Sequence, residues 1–221
     1  MISVRVTEKG FGSEDRSTPV LGDIAFDLAA GETLAIFGRS GVGKTTLLRL
    51  LADLDRQFEG QITGVEGRIG HVFQSPRLLP WRTALQNLAI VAPEQPEGVL
   101  RALLARAGVP DAADMYPAQL SLGMARRVAI ARALAVEPEV LLLDEPFASL
   151  DGDTARRLRG SLKELLNQIT IPAVIVTHDP AEALELADRI IVLGGKPATV
   201  VLDRPAADLT VTEIAASVAD S

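Results

Sequence analysis

The chain has 221 residues, 48% of them hydrophobic, a net charge of −7 and no cysteine, with a mean hydropathy of +0.23. The acidic balance argues against a general nucleic-acid surface, which needs a basic stripe, and against electrostatic adhesion to an anionic membrane leaflet. Without cysteine there are no disulfides and no thiolate metal sites, and His71 and His178 alone do not suit a histidine-built zinc centre.

The N-terminus, Met1 to Val6, alternates like a strand and lacks the apolar core of a signal peptide. No uninterrupted apolar run approaches the ~20 residues of a membrane span, so a soluble, cytoplasmic protein is expected. Residues 2–7 and Val20 to Leu28 read as strands, separated by a polar loop that contains Phe11. After the turn Gly31-Glu32, the apolar run Thr33 to Phe37 reads as a buried strand. It leads into Gly38-Arg39-Ser40-Gly41-Val42-Gly43-Lys44-Thr45 and then a helix from Thr46 to about Asp53.

That octapeptide fits G-x-x-x-x-G-K-[ST], the phosphate-binding P-loop. Its glycines let the backbone curl so that successive N–H groups face one phosphate, and the helix adds its positive end. Lys44 is placed to reach the β- and γ-phosphates, and the Thr45 hydroxyl to ligate Mg²⁺.

Ile69 to Phe73 reads as another strand, ending at Gln74. An amide there suits both Mg²⁺ and an attacking water, although an exposed glutamine after a strand is also ordinary. His71, inside the strand, reads as structural. From Ser75 to about Val136 the pattern is helical, broken at Pro93, Pro96 and Pro110. Ser121 suits an N-cap, and with Gly123 at a helix start it could form a second anion site whose ligand comes from another subunit. The plainer reading is a capped helix with Met124, Val128, Ala131 and Leu134 as its apolar stripe and Arg126, Arg127 and Arg132 off it.

Strands return at Val140 to Leu143, Ala173 to Val176 and Ile190 to Leu193, with helices near Asp153–Asn167 and after Pro180. Continuous apolar strands alternating with helices mean a parallel sheet covered on both faces. The first of these strands ends in Asp144-Glu145, where an aspartate suits the Mg²⁺ shell and Glu145 suits polarising a water. His178 ends the Ala173 strand, where it is either a γ-phosphate donor or a surface histidine.

Taken together, these pieces resemble the ATP-binding subunit of an ABC transporter, over about residues 2–202. The order is P-loop, Gln74, the signature Leu120 to Met124, Asp144-Glu145, Ser149-Leu150-Asp151 and His178. The resemblance implies an α/β fold of the P-loop NTPase (RecA-like) type: a parallel-sheet core with N-terminal antiparallel strands and an inserted helical subdomain. It implies one domain over 1–221, with core 1–74 and 137–204, insert about 75–136 and tail 205–221. It further implies that ATP lies between the P-loop, Thr46 included, of one subunit and Ser121 and Gly123 of another in a head-to-tail homodimer. Phe11 would stack on adenine, Glu145 act as general base, and His178 hold the γ-phosphate. Thr45, Gln74 and Asp144 would hold Mg²⁺, and Asp151 would link the two sites.

The implied partners are membrane permease subunits, met through Gln74 to Trp81, and a solute-binding protein; no nucleic acid is implied. Arg77-Leu78-Leu79-Pro80-Trp81 resembles the nitrate, sulfonate and taurine importers, although Trp81 suits a core anchor equally well. The protein would then sit at the inner face of the cell membrane. The signature departs from the usual Ser-Gly-Gly-Gln, reading Ser121-Leu122-Gly123-Met124. A soluble ABC-type ATPase not linked to transport is the alternative from another class. Such proteins usually carry coiled-coil inserts or two ATPase units, and this sequence has neither.

Overall fold

The computed structural model describes residues 1–12, 18–65 and 67–218. In chain order the elements are β1 (Ile2–Phe11), β2 (Thr18–Leu28), β3 (Thr33–Phe37), α1 (Lys44–Leu51), β4 (Glu59–Thr63) and β5 (Ile69–Val72). Then come α2 (Ala84–Ala89), α3 (Glu97–Arg106), α4 (Leu122–Ala135), β6 (Val140–Asp144) and α5 (Gly152–Gln168). The chain closes with β7 (Ala173–Thr177), α6 (Pro180–Leu186), β8 (Arg189–Gly194), β9 (Thr199–Pro205) and α7 (Val211–Ser217). They fall into two compact units, Met1–Glu66 with Pro172–Ser221, and Gly67–Ile171.

The first unit holds two sheets. In one, β1 lies between β2 and β4, antiparallel to both, with Val4 opposite Phe26 and Ile62. In the other the order is β7-β3-β8-β9, with β3 parallel to β7 and β8 and β9 antiparallel at the edge. Every residue of β3 and of β7 is buried, which is why both read as unbroken apolar runs. Each fully buried Leu, Ile or Val there contributes about 1.5–3 kcal/mol.

β1 runs further than its first alternation suggests. Register shifts between Val6 and Glu8 and between Lys9 and Gly10 change which residues face inward. Phe11 therefore ends the strand, paired with Thr18, rather than sitting in a loop. Of the polar loop expected next, residues 13–17 lie outside the described residues. α1 stops two residues short of Asp53, which takes φ 54 and whose carboxylate accepts from Arg56.

In the second unit β5 and β6 pair in parallel, Val72 opposite Leu143. The helices gather around Leu88, Leu100, Leu104 and Val128. α2 is fixed by a full capping box between Thr83 and Gln86. Asn87, fully buried, accepts from the Leu79 N–H and donates to the carbonyls of Leu79, Arg82 and Thr83. α4 is buried nearly all round. Among the described residues no helix is long and apolar enough to cross a membrane.

Candidate functional site

In the first unit the loop from Gly38 to Gly43 joins the buried end of β3 to α1. Gly41 (φ 79) and Gly43 (φ 118) take left-handed angles that curl it. A Cβ at Gly43 would stand 2.5 Å from Leu21 Cδ2, and one at Gly38 2.8 Å from the Leu193 carbonyl. A Cβ at Gly41 meets nothing within 4 Å. The loop is thus packed from behind and open at its tip, where Arg39, Ser40 and Gly41 are exposed.

Lys44 is 4% exposed, and its ammonium donates to the carbonyls of Gly38 (2.8 Å) and Arg39 (3.0 Å). It is held across the mouth of the curl as a buried cation with oxygen partners. Thr45 and Thr46 follow in the first turn of α1, Thr45 exposed and Thr46 half-buried. Phe37 is in register with Thr177, so Gly38 and His178 leave the same ends of neighbouring parallel strands. His178 is exposed. The segment after it is fixed by Thr177 Oγ1, which donates to Glu182 (2.6 Å) and accepts from the Asp179 N–H (3.0 Å). Phe11 is 47% exposed, with the Lys9 ammonium 4.7 Å from its ring centroid.

The second unit gathers the remaining residues. Gln74 follows β5 and Glu145 follows β6, the two strands being neighbours. Gln74 Nε2 donates to Glu145 Oε2 at 3.3 Å. Asp144 closes β6 at 7% exposed. Glu145 is half-buried at φ 43, and Ser149 takes φ 62. Ser121 caps α4 and accepts from the Met124 N–H at 3.2 Å. Gly123 is buried against α5, where a Cβ would stand 2.8 Å from Thr154 Cγ2. Thr154 donates its N–H to Asp151, the N-cap of α5, at 3.0 Å, and that bond holds the Asp151 carboxyl below its ordinary 3.8.

The expected residues therefore meet in two groups: the P-loop and His178 in one unit, Gln74, Asp144, Glu145 and the signature turn in the other. Trp81 is 68% exposed, which removes the core-anchor reading. The sequence reading missed Arg126, buried on α4 with its guanidinium on the carbonyls of Glu145, Pro146 and Ala148. It also missed Arg132, which donates to the carbonyls of Arg77 (2.7 Å) and Pro76 (2.9 Å). Nothing in the residue pattern marked these contacts, because their acceptors are backbone carbonyls.

This chemistry suits a nucleoside triphosphate with a hard cation. Backbone N–H groups, a buried ammonium and a helix start match phosphate. Of the side chains expected to meet Mg²⁺, the first unit carries the Thr45 hydroxyl and the second the Gln74 amide and the Asp144 carboxylate, all of them hard oxygen donors of the kind Mg²⁺ takes. Among the described residues no group of three His, Asp or Glu could hold a metal unaided.

Fold and site define a P-loop nucleotide-binding α/β protein. The ABC transporter family profile matches residues 21–148, more than half of the chain, and the chain belongs to that family. It is 41% identical over 209 residues to the aliphatic sulfonates import ATP-binding protein SsuB 1 of Pseudomonas savastanoi, covering 93% of this chain and 85% of that one. It is 43% identical over 194 residues to its counterpart in Pseudomonas aeruginosa, covering 81% and 78%. Among solved structures, a dimeric bacterial ABC transporter cassette superposes with TM-score 0.80 at 30% identity, over 93% of this chain and 99% of that one. The protein cbiO1 from Clostridium perfringens does so with TM-score 0.82 at 27% identity, over 97% and 92%. The same dimeric cassette is also known in a post-hydrolysis state bound to ADP and Pi, at TM-score 0.78 and 28% identity, over 93% and 99%. The chain is an ATP-binding protein and an ATPase of this family, with the P-loop NTPase fold.

Proposed function

We propose that this ATPase powers import of an aliphatic sulfonate or a close relative through separate permease subunits. Two copies close head-to-tail on two ATP molecules. The curled loop and Lys44 bind the phosphates of one ATP, and the partner copy's signature turn covers its γ-phosphate. Glu145 takes a proton from the attacking water, and His178 donates to the γ-phosphate. Mg²⁺, when bound through Thr45, Gln74 and Asp144, neutralises charge that builds on the phosphate oxygens. Phe11 offers an exposed ring to adenine. Asp151, at the N-cap of the helix packed against Gly123, links one site to the other.

The observation that carries the transport reading is the hydrogen bond from Gln74 to Glu145. It ties the hydrolytic carboxylate to the start of the segment that ends in exposed Trp81. A permease pressing on that segment would move the amide that orients Glu145. The names of the relatives support import and the sulfonate class; permease subunits would form the path through the membrane, and a solute-binding protein would deliver the anion from outside. The subunit would then lie at the inner face of the membrane, held there by the permease.

Glu145→Gln tests this reading. It keeps every phosphate donor, so ATP binding should persist while turnover falls by about 10²–10⁴. With ATP and Mg²⁺ the variant should elute as a dimer, and cells that rely on an alkanesulfonate for sulfur should stop taking it up. A variant that remains monomeric with ATP counts against the paired sites. Continued uptake counts against the transport role.

A further inference from the structure

We propose that Arg126 is a positioning residue for the hydrolytic step, holding the turn that carries Glu145; the proposal rests on Glu145 being the general base. Three observations converge on it. Arg126 is 4% exposed, so its charge must be met inside the protein. Its Nη1 donates to the carbonyls of Glu145 and Pro146 and its Nη2 to that of Ala148. The turn it grips is strained at both ends, with Glu145 at φ 43 and Ser149 at φ 62.

A non-glycine residue keeps such angles only where its surroundings over-determine them. Within the turn the Ala148 N–H reaches the Glu145 carbonyl at 3.1 Å and the Leu150 N–H the Phe147 carbonyl at 3.3 Å. The planar fork of an arginine matches carbonyls presented side by side, and its bonds are charge-assisted. Arg126 also lies one helical turn after Gly123, so the group that fixes the Glu145 turn rides on the helix whose start is the signature. Arg132, on the same helix, grips Pro76 and Arg77 beyond Gln74. The turn that carries Glu145 and the segment just beyond Gln74 are therefore both held from α4.

The test uses the full chain with ATP and Mg²⁺. Arg126→Met keeps the length of the side chain without its donors. It should lower kcat about a hundredfold, the cost of a small misplacement of a reacting group, while KM for ATP changes less than about twofold. Arg126→Lys, able to reach one carbonyl at a time, should restore part of that loss. In a Glu145→Gln background, Arg126→Met should lower the residual rate by less than about threefold, because the group it positions is already gone.

A full hundredfold loss in both backgrounds, an unchanged kcat, or a raised KM at constant kcat would each overturn the proposal. Should Arg126→Met not fold, Arg126→Lys takes its place in the same comparisons. Hydrogen exchange gives an arm independent of the base assignment: the amides of Ala148 and Leu150 should exchange at least about tenfold faster in Arg126→Lys, with the rest of the chain unchanged. Parent-like exchange there would sink the proposal even if Glu145 proved to be the base. Parent-rate hydrolysis by Glu145→Gln would sink the base assignment alone, leaving the hold on the turn to the exchange result.

Discussion

Lys44 spans the curl of the P-loop with bonds to the Gly38 and Arg39 carbonyls. An incoming phosphate exchanges one set of charge-assisted partners for another, so the buried ammonium is never stranded. The curl that makes this possible depends on Gly43, which faces two separate penalties if substituted. At φ 118 any Cβ is strained, by about 1–3 kcal/mol, and the new methyl would also meet Leu21 Cδ2 at 2.5 Å. Gly43→Ala should therefore lower the melting temperature by about 2–12 °C. It should also weaken binding of a fluorescent ATP analogue at least about tenfold, a loss of ~1.4 kcal/mol. Parent-like melting together with parent-like affinity would show that the loop can curl without this glycine.

At the scale of elements, what was legible in the sequence had an apolar or punctuating signature. β3, β6 and β7 read as strands because they are buried on both faces, and α4 was located from its Ser121 cap. β4 was not legible: Glu59-Gly60-Gln61 is exposed and only Ile62 turns partly inward, so backbone pairing with β1 rather than side-chain burial makes it a strand. β9 was missed for the same reason, as an edge strand with mixed exposure. Of the site, residues fixed by spacing from the P-loop and by strand ends were legible. The arginine contacts were not, because their acceptors are backbone carbonyls, which leave no mark on the residue pattern. α4 also answers for the unusual signature. Leu122 has an ordinary backbone angle and a side chain 43% exposed, and Met124 packs partly buried on the helical core. Neither the Ser121 hydroxyl nor the helix start depends on them. Leu122→Gly with Met124→Gln should therefore change the ATPase rate by no more than about tenfold, ~1.4 kcal/mol. A double variant active where the parent is inert would instead mark this chain as a degenerate subunit.

For the whole molecule, the resolved carboxyl shifts at Asp27, Asp53, Asp55, Asp151 and Glu213 all run downward. Four of these groups lie in water, where screening leaves them little weight. Asp55 differs, because its partner is a lysine buried in β1. Lys9 donates to both Asp55 oxygens, at 2.9 and 2.8 Å, and to the Gln57 carbonyl at 2.6 Å, and its side chain is 1% exposed. Burial alone would raise the Asp55 pKa; the hydrogen bonds from Lys9 and the Gln57 N–H, with the charges of Lys9 and Arg49, outweigh it and hold the carboxyl below 3.8. A group depressed in the folded state contributes stability that is complete above its unfolded pKa and is lost as pH falls through the folded value. Melting temperature should thus hold level from neutral pH down to about pH 5 and then drop below about pH 4. Asp55→Asn should lower stability at pH 7 by about 1–3 kcal/mol, since the buried Lys9 side chain loses an acceptor. The variant's acid limb should be shallower than the parent's, because its residue 55 no longer titrates. Equal slopes for parent and variant between pH 5 and pH 3 would place the acid sensitivity elsewhere and reduce Lys9–Asp55 to a packing contact.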